Sequence, residues 1–340
     1  MRTVLLAAAL ATATVVLVSA ATPPAVSGSL AGRQVFPRTN WWNLDISRAP
    51  PDAKSASFIS FISGRTGSNT TATRRVHPDF GPSPYGIPYV VVSGDQPLVR
   101  ATWTAYGDES DAGAPGRAAG YPIPAEAKSQ ADYIEGAVAG GGLNGDRHLL
   151  IVDRDNGLLY ETGATYWNAV GNRWEANCGA VFDLNRNDRR PETWTSADAA
   201  GLAIFPGLVR YEEAFGAAEI THAFRVTVRS TNGYVWPASH RAGSTTGALP
   251  MGGRLRMKAS KDLSGYRPEI QRIFRAMQRY GLIVADNGSD MFVSGTMDAR
   301  WDNSILNPAF HGLTADDFEV VQLGWKGNPP RPPTNLRIVR

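Results

Sequence analysis

Residues 148–184 constrain the fold more than any other stretch of this chain. His148 to Asp153 is an apolar, β-branched run, and Asp155-Asn156-Gly157 is a tight-turn signal. Leu158 to Val170 runs back, Gly171-Asn172 turns again, and Arg173 to Leu184 returns. The pattern predicts a three-strand antiparallel meander. Side chains alternate along a strand, so the turns decide which residues share a face. Two-residue turns place Leu149, Ile151, Asp153, Tyr160, Thr162, Tyr166, Asn168, Glu175, Asn177, Val181 and Asp183 on one, polar face. The other face collects Leu150, Val152, Leu159, Trp167, Trp174, Ala176, Cys178, Ala180 and Phe182, together with His148 and Glu161.

Further strand signals lie at Tyr89–Val92 and Leu98–Tyr106, and at 219–229, 233–238, 254–259, 282–285, 290–294 and 318–323. Helical patterns are few. Residues 196–203 form a short candidate capped by Ser196. Pro268–Tyr280 is stronger, with Pro268 in the first turn, Ile270, Ile273, Phe274 and Met277 on one stripe, and Gly281 as a stop. Residues 62–84 and 107–146 are Gly-rich connections with few large apolar residues. Many strands, few short helices and long loops predict a mostly β fold, an antiparallel β-sandwich or jelly-roll-like domain.

The N-terminus predicts export. Arg2 precedes an uncharged apolar run, Val4–Val18, and Val18-Ser19-Ala20 offers small residues at a cleavage site. The run is about 15 residues, short of the roughly 20 that span a bilayer. Residues 1–20 therefore read as a signal peptide, 21–34 as a flexible leader, 35–325 as a single β-rich domain and 326–340 as a Pro-rich tail. No membrane span is expected after cleavage. The net charge is only +3, with Lys and Arg scattered rather than blocked, which speaks against a nucleic-acid partner. The single cysteine, Cys178, excludes an intrachain disulfide, and its apolar setting reads as core.

Candidate chemistry comes from ionisable groups set among apolar strands. Glu161 on the apolar face would lose solvation, which raises a carboxyl pKa toward the range of a general acid. A one-residue change of register, or a paired core role, would account for it equally well. His222 shares a strand face with Ile220, Phe224, Val226 and Val228, and reads as a catalyst or as a satisfied core histidine. His240 follows Trp236-Pro237-Ala238-Ser239 at a strand-to-loop transition. Asp286 ends a strand, in a hairpin turn or facing a cleft. Asp153 is a further candidate partner acid. Trp41, Trp42, Tyr166 and Trp236 are candidate sugar platforms, with Asn177 as a hydroxyl-binding amide. No zinc-type His/Cys spacing occurs. Asp183-x-Asn185-x-Asn187 begins like a calcium loop, but Asp188 stands where Gly is needed and Trp194 where a closing Glu is needed. No metal or other cofactor is expected.

Several tracts resemble, together, a widespread group of exported bacterial proteins. They are Asn40-Trp41-Trp42-Asn43 with Asp45-Ile46-Ser47, Tyr85–Tyr89, Asp146–Asp153, Trp194–Leu202, His222-Ala223-Phe224-Arg225 and Tyr280–Ser289. The resemblance covers roughly residues 36–323, implies one continuous unit, and carries no catalytic assignment to transfer.

The expectation from sequence is an exported carbohydrate-active enzyme that cleaves a glycosidic bond by hydrolysis or elimination. Glu161 would be the acid, Asp286 or Asp153 its partner, and His222 or His240 the base of an eliminating variant. The alternative is a non-catalytic protein that binds a polysaccharide or cell-surface glycan through the polar meander face.

Overall fold

The computed structural model describes residues 23–327. The expected signal peptide and nearly all of the Pro-rich tail lie outside these residues. In chain order the strands are β1 (Ala25–Val26), β2 (His77–Gly81), β3 (Tyr89–Val92), β4 (Ala101–Trp103), β5 (Leu149–Asp153), β6 (Leu158–Gly163) and β7 (Tyr166–Asn168). They continue as β8 (Arg173–Ala176), β9 (Cys178–Asp183), β10 (Phe224–Val228), β11 (Arg254–Met257), β12 (Leu282–Asn287), β13 (Phe292–Met297) and β14 (Phe318–Val320). The α-helices are α1 (Ser55–Ser63), α2 (Tyr211–Ala214), α3 (Pro268–Arg279) and α4 (Asn303–His311).

The strands form three sheets, ordered β1-β3-β5-β6-β9, β14-β11-β12-β10-β13-β2 and β4-β8-β7. The fold is mostly sheet, as expected, but its sheets are mixed rather than antiparallel. The pairs β3–β5, β10–β12, β13–β2 and β4–β8 run parallel. Parallel neighbours need long crossovers, and local sequence does not reveal which distant strand a crossover delivers.

The meander exists, with two changes. Its first turn spans Arg154 to Gly157, with Gly157 at positive φ, so Leu150 faces Glu161 and Val152 faces Leu159. This register differs by two residues from that of a two-residue turn, and an even shift keeps every side chain on its face. The return strand then divides. β6 and β9 stay in the five-stranded sheet, while β7 and β8 leave to join β4.

Both faces of the five-stranded sheet are covered. Leu150, Val152, Leu159, Ala180 and Phe182 share one core with Phe224, Val226, Leu282 and Val284 of the six-stranded sheet. Leu149, Ile151 and Tyr160 pack with Tyr121, Ile123, Tyr133 and Trp174 in a second core. The polar face read from sequence is thus largely interior, because residues from the 107–146 connection fold over it. The leader is also not free: Ala25 and Val26 pair antiparallel with Val91 and Val90.

Helix α3 forms as its pattern predicts, with Ile270, Ile273, Phe274 and Met277 buried. Gly281 follows at φ +78, where a Cβ would lie 2.4 Å from the Leu255 carbonyl oxygen. Residues 196–203 do not form a helix. The Ser196 hydroxyl bonds to the carbonyls of Asp198 and Leu202, a local alternative to helical hydrogen bonds. The expected strand at 233–238 is reduced to one bridge, Tyr234 to Met251.

Candidate functional site

The two sheets bring a set of charged groups together at their junction. Arg225 lies on β10 beside β12, its parallel neighbour. Between Val226 and Thr227 the register slips, so that Thr227 stands opposite Asp286 near the end of β12. Such a bulge re-aims the side chains next to it. On the other side, β13 pairs with β2 and sets Ser294 opposite Asp79. His148 immediately precedes β5. Its carbonyl accepts a bond from the Glu135 backbone N–H, which fixes the 107–146 connection beside it.

Arg225 is buried and every arm of its guanidinium is engaged. Nε and Nη2 donate to the two oxygens of Asp198 at 2.8 and 2.9 Å, and Nη1 donates to Ser294 Oγ at 2.8 Å. Nη2 also reaches Asp286 Oδ2 at 3.2 Å. His148 is engaged on both ring nitrogens, by Glu135 Oε2 at 2.6 Å and the Ala197 carbonyl at 3.1 Å. An imidazole facing two acceptors is an imidazolium. Burial alone would lower the His148 pKa, but the Glu135 charge and hydrogen bond lift it to about 9. For Glu135 burial acts upward, and the charge and bonds of His148 still hold it below the ordinary carboxylate value.

Two cavities open on this junction. One, of about 430 Å³, is lined by Tyr106, Asn177, Cys178, Ser196, His240 and Arg241, among others. The second, of about 210 Å³, is lined by Asp79, Glu135, Arg225, Thr227, Asn287 and Ser289, among others. Asp146, His148 and Asp286 line both, and so form the seam between them. Asp286 is partly exposed, and burial outweighs the Arg225 charge and lifts its pKa to about 6. Asp79 is exposed at the wall of the smaller cavity, and the desolvation it does undergo raises its pKa despite Arg225. Roomier hollows lie elsewhere, of about 760 and 950 Å³. The larger holds exposed ion pairs such as Arg279–Asp45 and Arg275–Glu219, and neither hollow is lined by a histidine.

Of the residues expected from sequence, Asp286, His240 and Asn177 line the cavities. His240 Nδ1 is 2.7 Å from the Ala199 carbonyl, so Nδ1 carries the hydrogen and Nε2 is left as an acceptor. The Asn177 Oδ1 atom is buried without a partner among the described residues.

The others stand apart. Glu161 is fully buried, and its carboxylate accepts the backbone N–H groups of Ile204 and Phe205 at 2.8–3.0 Å. Burial lifts its pKa to about 7, but the group is sealed from both cavities and serves as a main-chain anchor. Asp153 is buried in the hairpin, paired with Arg117 at 2.8 Å and bonded to Asn156. His222 Nδ1 donates to the Ala223 carbonyl at 2.9 Å, and its Nε2 lies 3.0 Å from Glu213 Oε2 and 3.1 Å from Arg210 Nη2. Trp41 and Trp42 are core residues, and Trp236 backs Trp41 edge-on at 6.2 Å. Tyr166 gives its hydroxyl to Glu175 inside the three-stranded sheet. Cys178 faces the larger cavity as a thiol: its Sγ bonds the Ser196 carbonyl, and burial pushes its pKa up to about 12.

Sequence reasoning gave no role to Asp79, Glu135, Asp146, Asp198 or Arg225, and little to His148. One signal was present. Asp146 and His148, Asp198, Arg225 and Asp286 each fall within a tract that carries the resemblance described above. Among the described residues no group of three or more His, Cys, Asp or Glu side chains is placed to hold a metal ion, and no helix is long and apolar enough to cross a membrane. No protein-family model, curated protein or solved structure matches the chain.

Proposed function

We propose that this protein is an exported carbohydrate-active enzyme that cleaves a glycosidic bond at the seam of Asp146, His148 and Asp286. Its scaffold reads as a sandwich, since the five- and six-stranded sheets share one core. The observation that carries the proposal is Asp286, an accessible carboxyl with a pKa lifted to about 6, standing where two cavities meet. A polymer bound across the seam would place sugars on both sides of the reacting bond.

Glycoside hydrolysis needs one carboxyl that gives a proton and one that takes one. Asp286 gives its proton to the leaving glycosidic oxygen as the bond to the anomeric carbon breaks. Asp146 accepts a proton from the water that forms the new bond at that carbon. His148 and Arg225 hold charges and positions around the pair, since their nitrogens are already engaged.

Elimination is the second reading, and His240 favours it. Its bare Nε2 in the larger cavity is a base, and Arg241 beside it would neutralise a sugar carboxylate. A polysaccharide panel followed for both new reducing ends and unsaturated-sugar absorbance separates the two. Loss of reducing-end release in Asp286→Asn supports hydrolysis. Unsaturated products that vanish in His240→Gln and persist in Asp286→Asn support elimination. Binding to a glycan with no product in either assay would replace both readings with a binding protein.

A further inference from the structure

We propose that Asp198 is a positioning residue of this site: it takes up the charge of Arg225, so that Asp286 keeps the proton that glycosidic cleavage needs. This deepens the hydrolysis reading above, in which Asp286 is the proton donor, and rests on it.

The backbone sets the geometry. Arg225 and Asp286 stand on the neighbouring parallel strands β10 and β12, on either side of the register slip. The segment that carries Asp198 is tied to β12 by the Ala200 N–H, which donates to the Ala285 carbonyl at 2.9 Å, one residue before Asp286. Asp198 is itself fixed: its N–H donates to Ser196 Oγ at 3.0 Å, and its carbonyl accepts the Gly201 N–H at 2.9 Å.

Distance and burial decide which acid holds the guanidinium. Asp198 takes two N–H groups at 2.8 and 2.9 Å in a fork, whereas Asp286 receives one, shared, at 3.2 Å. The Asp198 side chain is wholly buried, and that of Asp286 is 27% exposed. Opposite charges attract more strongly out of water. The dry carboxylate therefore neutralises the cation, and Asp286 faces a pair with no net charge. Burial acts against the Arg225 cation, yet the Asp198 charge and bonds raise its pKa above the ordinary value. A buried ion pair often adds nothing to stability over apolar side chains of the same volume, so the fold alone does not call for one here.

Other charged groups face Asp286 from every wall. His148 and Asp146 come from the turn before β5, Glu135 from the covering connection, Asp79 from β2, and His240 and Arg241 from the far side of the larger cavity. His148 is matched by Glu135. Arg225 is the one cation bonded to Asp286 among the described residues, so the group that cancels Arg225 decides whether Asp286 keeps its proton.

The test is an NMR titration of the Asp286 side-chain carboxyl, assigned by its loss in Asp286→Asn, together with the pH profile of glycan cleavage. Asp198→Asn keeps the side-chain shape and one acceptor but drops the charge, which leaves Asp286 beside the full Arg225 cation. The Asp286 pKa should fall by at least about one unit, and the alkaline limb of the cleavage profile should move down with it. Asp198→Asn combined with Arg225→Gln removes both charges and leaves no buried ion unmatched. In this double variant, which also serves should the single one fold poorly, Asp286 should titrate within about half a unit of wild type. A purely structural Asp198 would cost stability and leave the Asp286 titration where it was. An unmoved Asp286 in Asp198→Asn would overturn the proposal, because Asp198 then cancels nothing. A rise beyond half a unit in the double variant would overturn it too, because Arg225 then acts on Asp286 uncancelled. A lowered Asp286 pKa in Asp198→Asn with no glycan cleaved by the wild type would uphold the role of Asp198 and overturn the hydrolysis reading instead.

Discussion

The Nδ1 atom of His148 stands 2.6 Å from Glu135 Oε2, and the same oxygen also accepts the His148 backbone N–H at 3.2 Å. One carboxylate thus ties the first residue of the meander to the connection that covers it. Because the other ring nitrogen faces the Ala197 carbonyl, the histidine is held as a cation at the seam of the two cavities. A charged His148 does not serve as a general base near neutral pH, so the proposed cleavage assigns its proton transfers to the acids around it.

This pair gives the fold a pH window. The His148 pKa is raised from 6.5 to about 9, so its stabilisation is fully present below 6.5 and is lost as pH rises through about 9. The Glu135 pKa is depressed, so its part is present above the ordinary 4.5 and is lost as pH falls through the depressed value. Glu135→Gln should cost roughly 3 kcal/mol at pH 7. Denaturant unfolding at pH 7 and pH 10 checks this; an equal cost at both would exclude the ion pair as its origin.

Asp286 has the opposite sign. Its folded pKa is raised from 3.8 to about 6, so the stability it contributes is complete below 3.8 and is lost as pH rises through about 6. Asp286→Asn should therefore be more stable than the wild type at pH 8, by about 1 kcal/mol, while glycan cleavage falls at least about a hundredfold. Thermal melts and reducing-end assays at pH 8 on both proteins test the two halves together. A destabilised variant would mean that the Arg225 contact outweighs desolvation.

Glu161 separates a structural acid from a reacting one. Glu161→Ala leaves the Ile204 and Phe205 N–H groups buried without an acceptor, and should cost about 2–4 kcal/mol. Glu161→Gln retains an acceptor oxygen, so at a temperature where it is folded it should keep its turnover within about threefold of wild type. Turnover in Glu161→Gln reduced as far as in Asp286→Asn would return Glu161 to the list of reacting groups.

Cys178 should be inert in the folded protein. It is 3% exposed and its thiol pKa is pushed up to about 12. Thiolate is the reactive form, so a disulfide reagent at pH 8 should label it only at the rate of unfolding. Cys178→Ser should keep cleavage activity. Stoichiometric labelling within seconds under native conditions would contradict both the burial and the bond to Ser196.

The faces of the meander were legible because alternation is a period-two property. Leu150, Val152, Leu159 and Phe182 share the main core even though the turn between β5 and β6 is longer than assumed. Helix α3 was legible for the equivalent reason at helical period. Glu161 was rightly placed on the apolar face, but its role was not, since Ile204 and Phe205 come from a segment with no local tie to β6. The expected platforms Trp41 and Trp42 are buried instead: the Trp42 ring lies against Gly207, and Trp41 packs against Phe36 and Trp236.

By itself the sequence determined the strands around Tyr89–Val92 and Leu149–Asp183, the face shared by Leu150, Val152, Leu159, Glu161 and Phe182, helix α3, and that Asp286 stands near a strand end, but not β1, β2 or the face of Trp174. Only the tertiary structure decided that Asp79, Glu135, Asp146, His148, Asp198, Arg225 and Asp286 meet. Local periodicity follows from backbone geometry within a few residues. The meeting follows from parallel pairings such as β10–β12 and β13–β2, whose partners are chosen by long-range packing and by the mutual neutralisation of buried charges.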